Sequence, residues 1–254
     1  MIQPHQAAAA TDVGKLRDHN EDRSLVDFRD GVLIVAVADG VGGEHGGDVA
    51  SETAVKELAA AFFRRRQRDM GKNLSDAVAA VNDAVLGAAK EKDLKGAATT
   101  VVAAAIKDRR VTIVNLGDSR AYLFRNAVVR QVTKDHSGKV PRSITRFAGD
   151  PRGVRPDVFT EDLRPGDRLL LCSDGVTIHL SDRDLVSLLA DGDAAFAAQR
   201  IVKEAVARGG RDNATAIVVI GAPRVIQWDF IAFGATLVLA ILAVATTLWL
   251  VTQP

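Results

Sequence analysis

Residues 35–43 read Val-Ala-Val-Ala-Asp-Gly-Val-Gly-Gly, an apolar run that ends in a carboxylate and a glycine-rich turn. A short apolar run bounded by a turn is typical of a buried β-strand. The stretches at 114–119 and 169–175 likewise begin with apolar residues and contain an aspartate near their end. Another aspartate stands shortly before the apolar run at 216–220. The sequence therefore predicts four strands of a β-rich core that each carry an acid at one end: Asp39, Asp118, Asp174 and Asp212.

These aspartates predict an all-oxygen metal site at one edge of the core. Buried carboxylates that lie together repel one another unless a cation neutralises them. Oxygen donors, with no His or Cys at metal-binding spacing, favour Mg²⁺ or Mn²⁺ over Zn²⁺. Two such ions close together can share a water and convert it into a nucleophile. Arg17, in a polar segment nearby, could then clamp a phosphate with its planar guanidinium group.

Length, charge and cysteine content restrict the class of protein. The 254 residues allow one large domain. The net charge of +1 argues against a nucleic-acid-binding protein, which depends on contacts with phosphates. The single cysteine, Cys172, excludes an intramolecular disulfide and fits a reducing compartment. We expect it to be a buried strand residue, because Ile178 stands where the Cys-x5-Arg phosphatase loop requires arginine.

The remaining pattern predicts helices that alternate with blocks of hairpin strands. Apolar residues at helical spacing predict helices over 48–68, 74–92, 182–190 and 194–208. Short polar turns join the strands that are predicted over 99–106, 111–116, 121–124 and 128–132. The expected fold class is α+β, with antiparallel sheets covered by helices.

Both ends of the chain are predicted to lie outside the folded domain. The N-terminus has no basic flank and no long apolar core, so we interpret it as a disordered tail and not as a signal peptide. Residues 230–251 carry no charge, and about 22 residues at about 1.5 Å each are long enough to cross a bilayer. We therefore expect four segments: a disordered tail at 1–10, a folded domain at 11–222, a linker at 223–228 and a transmembrane helix at 229–251.

The flanks of the apolar segment predict its orientation. Trp228 and Trp249 bracket it, as residues of an aromatic belt do. Arg224 stands before the segment and no positive charge follows it, so the positive-inside rule places the folded domain in the cytoplasm. We expect a single-pass protein of the cell membrane.

Eight short motifs follow one another along the chain: Arg17 with Asn-Glu-Asp at 20–22, Ala-Asp-Gly-Val-Gly-Gly at 38–43, Ala-Ser at 50–51, Thr-Thr at 99–100, Gly-Asp-Ser-Arg-Ala at 117–121, Asp-His-Ser at 135–137, Ser-Asp-Gly at 173–175 and Asp-Asn at 212–213. In this order they resemble the metal-dependent type 2C Ser/Thr protein phosphatases, especially the bacterial members. The resemblance covers about residues 11–221. It implies a four-layer αββα sandwich of two antiparallel sheets flanked by helix pairs.

The resemblance also implies two or three Mn²⁺ or Mg²⁺ ions. Its metal ligands correspond to Glu21, Asp39, the carbonyl of Gly40, Asp118, Asp174 and Asp212. Asp39 would bridge two ions, Asp174 and Asp212 would complete the first site, and Gly40 and Glu21 would serve the second. Asp118 with Asp174 would hold a third ion. Arg17 would bind the substrate phosphate, while Asp22 and Asn213 would support the ligands through hydrogen bonds.

Two features depart from the family pattern. Val41 follows Asp-Gly, where eukaryotic members carry a general-acid histidine. His45 is a nearby candidate proton donor or else an exposed loop residue, and His136 is interpreted as structural. Only residues 138–143 separate the Asp-His-Ser motif from residues 144–146, whereas bacterial relatives carry a longer mobile flap at this point.

The expected function is hydrolysis of phosphoserine and phosphothreonine in proteins by a metal-activated water. The membrane segment predicts that the enzyme opposes a membrane Ser/Thr kinase and acts on its substrates, whose local concentration confinement would raise. The main alternative is a non-catalytic pseudophosphatase that binds phosphoproteins as a membrane scaffold. A phosphatase for small phosphorylated metabolites is a third alternative.

Overall fold

The computed structural model describes residues 5–42, 46–65, 68–138 and 143–222. The predicted linker at 223–228 and the predicted transmembrane helix at 229–251 lie outside these residues, as does His45. In the part of the chain that is described, no helix is both long and apolar enough to cross a membrane.

Two antiparallel sheets form the centre of the domain. The first consists, in spatial order, of β1 (Gln6–Asp12), β11 (Ala214–Ile220), β10 (Arg168–Cys172), β7 (Arg120–Arg125) and β8 (Val128–Gln131). The second consists of β2 (Asp22–Arg29), β3 (Val32–Val41), β5 (Val101–Lys107), β6 (Arg110–Leu116) and β9 (Asp157–Asp162), and the two-residue strand β4 (Ala98–Thr99) pairs with β3. The predicted antiparallel sheets are confirmed.

Helices cover the outer faces of the sheets. The second sheet carries α1 (Gly46–Arg64) and α2 (Met70–Glu91), and the first carries α4 (Asp182–Leu189) and α5 (Ala194–Ala207). A single turn, α3 (Asp174–Thr177), follows β10. Buried side chains form one cluster between each helix pair and its sheet and a third cluster between the sheets. This is the αββα order of layers that the family resemblance implies.

The central strand β3 shows why its run is apolar without interruption. Ile34 and Ala36 contact the cluster beneath α1 and α2, whereas Val35 and Val37 contact the cluster between the sheets. Successive side chains point to opposite faces of a strand. A strand that is buried on both faces therefore needs apolar residues at every position.

The prediction of a disordered tail is wrong for residues 6–10, which belong to β1. This strand pairs with β11 from Gln6, opposite Ile220, to Asp12, opposite Ala214. Alanine, which dominates β1, has little intrinsic preference for strands. The strand forms because β11 offers an open edge and because its alanines pack against the two clusters on either side.

Other differences concern elements whose polar residues weaken the apolar pattern that sequence prediction uses. The strands β2 and β9 are not predicted by the sequence, because each mixes charged residues with apolar ones, and some of those apolar residues are exposed. α2 begins at Met70 instead of residue 74, since the carboxylate of Asp69 caps it by accepting hydrogen bonds from the N–H groups of Gly71 and Lys72 at 2.8 and 3.1 Å. An N-cap aspartate of this kind sets the first turn of a helix.

Candidate metal centre

The predicted acids lie at one edge of the sandwich. Asp39, near the end of β3, is paired in register with Asp22 at the start of β2. Asp174 follows the last residue of β10 by two positions, and Asp212 precedes the first residue of β11 by two. Because β10 and β11 are antiparallel neighbours, one strand ends where the other begins. Both carboxylates therefore extend from the same end of the first sheet.

The pKa of Asp39 shows how closely the other acids surround it. Burial raises the pKa of this carboxyl well above its ordinary value, and repulsion from Asp22, Asp174, Asp118 and Asp212 raises it further. Like charges at short range disfavour the ionised form, whereas a cation favours it. Asp39 therefore lies near the negative charges of all four of these acids.

Two threonines hold the backbone of Asp39. The N–H of Asp39 donates to Oγ1 of Thr100 at 3.1 Å, and the N–H of Thr100 donates to the carbonyl of Asp39 at 2.9 Å. The hydroxyl of Thr99 donates to the same carbonyl at 2.9 Å. The hydroxyl of Thr100 also pairs with that of Ser119 at 2.7 Å, next to Asp118. These contacts connect the loops that carry two of the acids.

The turn after Asp39 brings its backbone against Glu21. The N–H of Gly40 donates to the carbonyl of Glu21 at 3.2 Å. A side chain at Gly40 would collide with the backbone of Gly47, and a Cβ at Gly47 would lie 2.8 Å from Oε1 of Glu21. Only glycine allows this close approach. Burial raises the pKa of Glu21, and the nearby Arg17 opposes that effect.

Asn213 holds the segment that carries Arg17. Its Oδ1 accepts a hydrogen bond from the N–H of Glu21 at 2.8 Å. Its Nδ2 donates to the carbonyls of Val13 and His19 at 2.8 and 2.9 Å. Asn213 is 5% exposed, so these contacts are shielded from water. One buried amide therefore fixes three points of the N-terminal segment beside Asp212.

Asp22 lies behind the acidic edge and is buried. The hydroxyl of Ser173 donates to its Oδ2 at 2.7 Å, and the same oxygen of Ser173 accepts the N–H of Thr215 at 3.0 Å. Burial raises the pKa of Asp22 to about 6, against the effect of hydrogen bonds from Ser173 and Thr215. Asp22 thus connects β2 to the junction between β10 and β11.

Arg17 is paired with a predicted metal ligand. Its Nη2 donates to Oδ2 of Asp212 at 2.8 Å, and 47% of its side chain is exposed. The hydrogen bond with Asp212 is the main cause that raises the pKa of Arg17, and the charges of Glu21 and Asp39 act in the same sense. The guanidinium group of Arg17 therefore lies close to the negatively charged acids, on the side that faces solvent.

Asp118 stands on a loop that His136 supports. The N–H of Gly117 donates to Nδ1 of His136 at 3.1 Å, and the N–H of His136 donates to the carbonyl of Gly117 at 2.9 Å. His136 is 6% exposed, and its Nε2 lies 3.1 Å from Oδ2 of Asp157. Burial raises the pKa of Asp118. This arrangement agrees with a structural role for His136.

The donor set fits hard divalent cations. Mg²⁺ and Mn²⁺ prefer the carboxylate and carbonyl oxygens that lie at this edge. Of the residues described, Asp22 and Asp118 each keep a buried Oδ1 without a hydrogen-bond partner. Such an atom is costly unless a cation or a water satisfies it.

The spacing of the described acidic side chains is wider than that of ligands around one ion. Within the described ranges, no three His, Cys, Asp or Glu residues converge closely enough to hold a metal as they stand.

Cys172 is excluded as a nucleophile. It is fully buried in β10, as the sequence predicts, and burial raises the pKa of its thiol to about 12. The sequence did not indicate Asp157 and Thr215, whose polar side chains gave no periodic signal. Ser119, in contrast, stands in the Gly-Asp-Ser-Arg-Ala motif at 117–121.

The chain matches the family described as protein phosphatase 2C over residues 16–208. The serine/threonine phosphatase stp of Listeria monocytogenes is 37% identical over 234 residues, which cover 82% of this chain and 93% of that protein. The serine/threonine protein phosphatase PstP of Mycobacterium tuberculosis is 33% identical over 88% of this chain and 45% of its own length.

Solved structures agree with these sequence relatives. The structure of the M. tuberculosis phosphatase PstP/Ppp has a TM-score of 0.78 at 32% identity and covers 86% of this chain and 99% of that one. The catalytic domain of PstP in complex with two manganese ions has a TM-score of 0.77 at 33% identity, covering 85% of this chain and 97% of its own. Fold, acidic edge and sequence lead to one conclusion: the chain belongs to the protein phosphatase 2C family.

Proposed function

We propose that this chain is a metal-dependent Ser/Thr protein phosphatase that acts at the cytoplasmic face of a membrane. The observation that carries the hydrolytic activity is the edge at which Asp39 lies in the field of Asp22, Asp118, Asp174 and Asp212. Related Ser/Thr phosphatases that are 33–37% identical support the same activity. The membrane location rests on the apolar C-terminal segment.

The acidic edge supplies the ligands for Mn²⁺ or Mg²⁺. The residues that would hold the ions are Glu21, Asp39, Gly40 through its carbonyl, Asp118, Asp174 and Asp212. A related phosphatase, at 33% identity, is known in complex with two manganese ions. When bound, such ions activate the attacking water and neutralise charge on the phosphoryl group.

Arg17 binds and orients the substrate phosphate. Its ion pair with Asp212 is partly exposed, and an exposed pair contributes little free energy. The guanidinium group can therefore turn from Asp212 to a phosphate, to which its planar fork donates two hydrogen bonds. In that position it stabilises the negative charge that develops during transfer.

Buried polar contacts keep the site in its active geometry. Asn213 fixes the segment that carries Arg17 and Glu21. Asp22, through Ser173, fixes the start of the turn that carries Asp174. Such supporting contacts matter because a displacement of about 1 Å can cost about a hundredfold in rate.

A kinase partner follows from the proposed location. An enzyme held at a bilayer meets membrane-bound phosphoproteins at a raised local concentration. A membrane Ser/Thr kinase and its targets are the partners that fit both this location and the reaction. The substrates are phosphorylated proteins, and nucleic acid is not among the proposed partners.

The activity is tested with the purified full-length chain in detergent. We expect Mn²⁺-dependent release of phosphate from phosphoserine and phosphothreonine peptides, complete loss on addition of EDTA, and slower hydrolysis of sugar phosphates. Absence of turnover while calorimetry shows bound Mn²⁺ would support the scaffold alternative. Faster hydrolysis of sugar phosphates would support a metabolite phosphatase.

The location is tested by fractionation of cells that express the full chain or a chain ending at residue 222. We expect the full chain in the membrane fraction, resistant to extraction with carbonate, and the shorter one in the soluble fraction. A reporter fused to the N-terminus should remain on the cytoplasmic side. Full extraction of the intact chain by carbonate would contradict the membrane proposal without affecting the hydrolytic one.

A further inference from the structure

A small apolar recess adjoins the acidic edge. Its volume is about 260 Å³. Its walls include Val41 at the end of β3 and Ala98 at the start of β4, together with Ala97 just before that strand. Ile144 and Phe147, beyond the short loop, complete these walls. None of the described lining residues carries a charge. A space of this size is below the range of about 300–1,000 Å³ that is typical of small-molecule sites and suits a single side chain.

The recess lies next to the reaction centre on the same strand. Val41 and Asp39 are two residues apart on β3, so their side chains share one face about 7 Å apart. Val41 pairs in register with Ala98, and Gly40 pairs with Thr99. The hydroxyl of Thr99 donates to the carbonyl of Asp39 at 2.9 Å. The pairing of Val41 with Ala98 and the contact of Thr99 with Asp39 therefore connect the wall of the recess to the central acid.

Hydrogen bonds form the recess before any ligand arrives. Thr99 and Ala148, which are next in the chain to lining residues, exchange two backbone hydrogen bonds at 3.0 and 2.8 Å. The N–H of Gly149 donates to Oδ1 of Asn82 at 2.9 Å, and Asn82 is buried in α2. A site that is already formed loses little conformational entropy on binding.

The chemistry of the recess differs from that of its surroundings. The other flanks of the edge carry charged pairs, namely Arg17 with Asp212 and Arg146 with Asp157. Val41 is nevertheless 41% exposed. The recess is therefore the apolar part of an otherwise charged surface, where burial of an apolar side chain would be favourable.

We propose that this recess binds an apolar side chain of the substrate protein, one or two residues along the chain from the phosphoserine or phosphothreonine. The inference rests on the proposed phosphatase function and specifies its substrates. An extended peptide advances about 3.3 Å per residue. When its phosphate lies at the acids, a residue two positions away therefore reaches the recess. The enzyme selects phosphorylation sites that have an aliphatic or aromatic residue at that distance.

The test uses the full-length enzyme with Mn²⁺ and a set of phosphoserine peptides. The peptides are identical except that one position, from two residues before the phosphoserine to two after it, carries leucine instead of alanine. We expect leucine at one of these positions to raise kcat/KM about tenfold, the lower end of the effect of one apolar contact in a pocket. A ratio of one at every position would overturn the proposal.

Two variants assign the preference to the recess. Ile144→Asn and Val41→Asn each place an uncharged polar group in its wall, and we expect either to reduce the leucine-to-alanine ratio to about one. Val128→Asn is the matched control, because Val128 is 61% exposed on β8, outside the recess, and it should keep the tenfold ratio. A ratio that persists in both recess variants would overturn the proposal.

Hydrolysis of an aryl phosphate, measured in parallel, separates the two hypotheses. This substrate has no flanking residues, so it reports on the hydrolytic centre alone. Wild-type enzyme that hydrolyses the aryl phosphate but ignores leucine would contradict the subsite and leave the phosphatase function intact. Wild-type enzyme that hydrolyses neither substrate would contradict the proposed function itself.

Discussion

Acids at the acidic edge and acids elsewhere on this domain have opposite neighbours. At the edge, burial and the charges of other carboxylates raise the pKa of Asp39. At the periphery, a hydrogen bond from Arg152 lowers the pKa of Asp150 to about 2, and hydrogen bonds from Ser181 lower the pKa of Asp184 to about 2. One fold therefore contains acids that resist ionisation and acids that are stabilised as anions.

The difference shows that the acidic edge contributes less to folding stability than acids elsewhere do, because its carboxylates repel one another. Several acids away from the edge have a basic partner, such as Asp167 beside Arg125. At the edge, Asp212 pairs with Arg17, whereas Asp39 is surrounded by other acids. Grouped acids destabilise a fold by mutual repulsion, and they persist where a site requires them. The predictions below test this contrast, from the largest effect to the smallest.

The largest effect is expected from removing one charge at the edge. Asp174→Asn should lower kcat/KM for a phosphopeptide by about 1,000-fold, equivalent to about 4 kcal/mol, because it removes a ligand beside Asp39. The matched control is Asp184→Asn, which removes an acid of α4, away from the edge, and should leave kcat/KM unchanged. Steady-state kinetics of the full chain with Mn²⁺ provide the measurement. Equal losses in the two variants would refute the contrast.

The second effect is a pH dependence of the metal-free protein. The pKa of Asp22 is raised to about 6 from 3.8, so the folded state binds this proton more tightly than the unfolded state does. Its contribution to the free energy of unfolding is therefore greatest below about pH 4 and is lost as the pH rises through about 6. The loss is about 3 kcal/mol at 1.36 kcal/mol per pKa unit.

Urea unfolding in EDTA, at pH values between 4 and 7, measures that slope. Asp22→Asn cannot titrate and should show a flatter profile than the wild type. Asp184→Asn should keep the wild-type slope over this range, because the lowered pKa of Asp184 places its titration at more acidic pH. A wild-type slope in Asp22→Asn would show that burial of this carboxyl does not control the profile.

The third effect is stabilisation by metal. At a Mn²⁺ concentration of 100 times the Kd, binding adds about 2.7 kcal/mol, which raises the Tm of a domain of this size by about 5–10 °C. The rise should be smaller at pH 5 than at pH 7, because ligands must lose their protons to bind. Calorimetric scans of the wild type, Asp39→Asn and Asp150→Asn provide the comparison. Only Asp39→Asn should lose the shift.

The smallest effect concerns a helix cap at the periphery. Oγ of Ser181 accepts the N–H of Asp184, and the carboxylate of Asp184 accepts the N–H of Ser181 at 2.9 Å. Ser181→Ala should lower the free energy of unfolding by about 1 kcal/mol and leave kcat/KM unchanged. Ser187→Ala, on the exposed face of the same helix, is the control and should change stability less. Reduced activity in Ser181→Ala would show that the periphery and the edge are coupled.

Most of the central architecture was predictable because its signals are local. The runs that became β3, β6, β10 and β11 are apolar and end at acids or glycines, and burial on both faces requires that pattern. The helix pairs were predictable from apolar spacing, to within about four residues at their ends. Elements with mixed polarity, such as β2 and β9, gave no periodic signal strong enough to assign.

The sequence by itself determined that Asp39, Asp118, Asp174 and Asp212 stand within two residues of strand ends, because a strand buried on both faces needs apolar residues along most of its length. Tertiary structure alone decided which of these ends meet. It also paired an alanine-rich segment with β11, placed Arg17 on Asp212 and formed the recess beside Val41. These outcomes depend on contacts between residues far apart in the chain, and no local pattern of charge or hydrophobicity encodes such contacts.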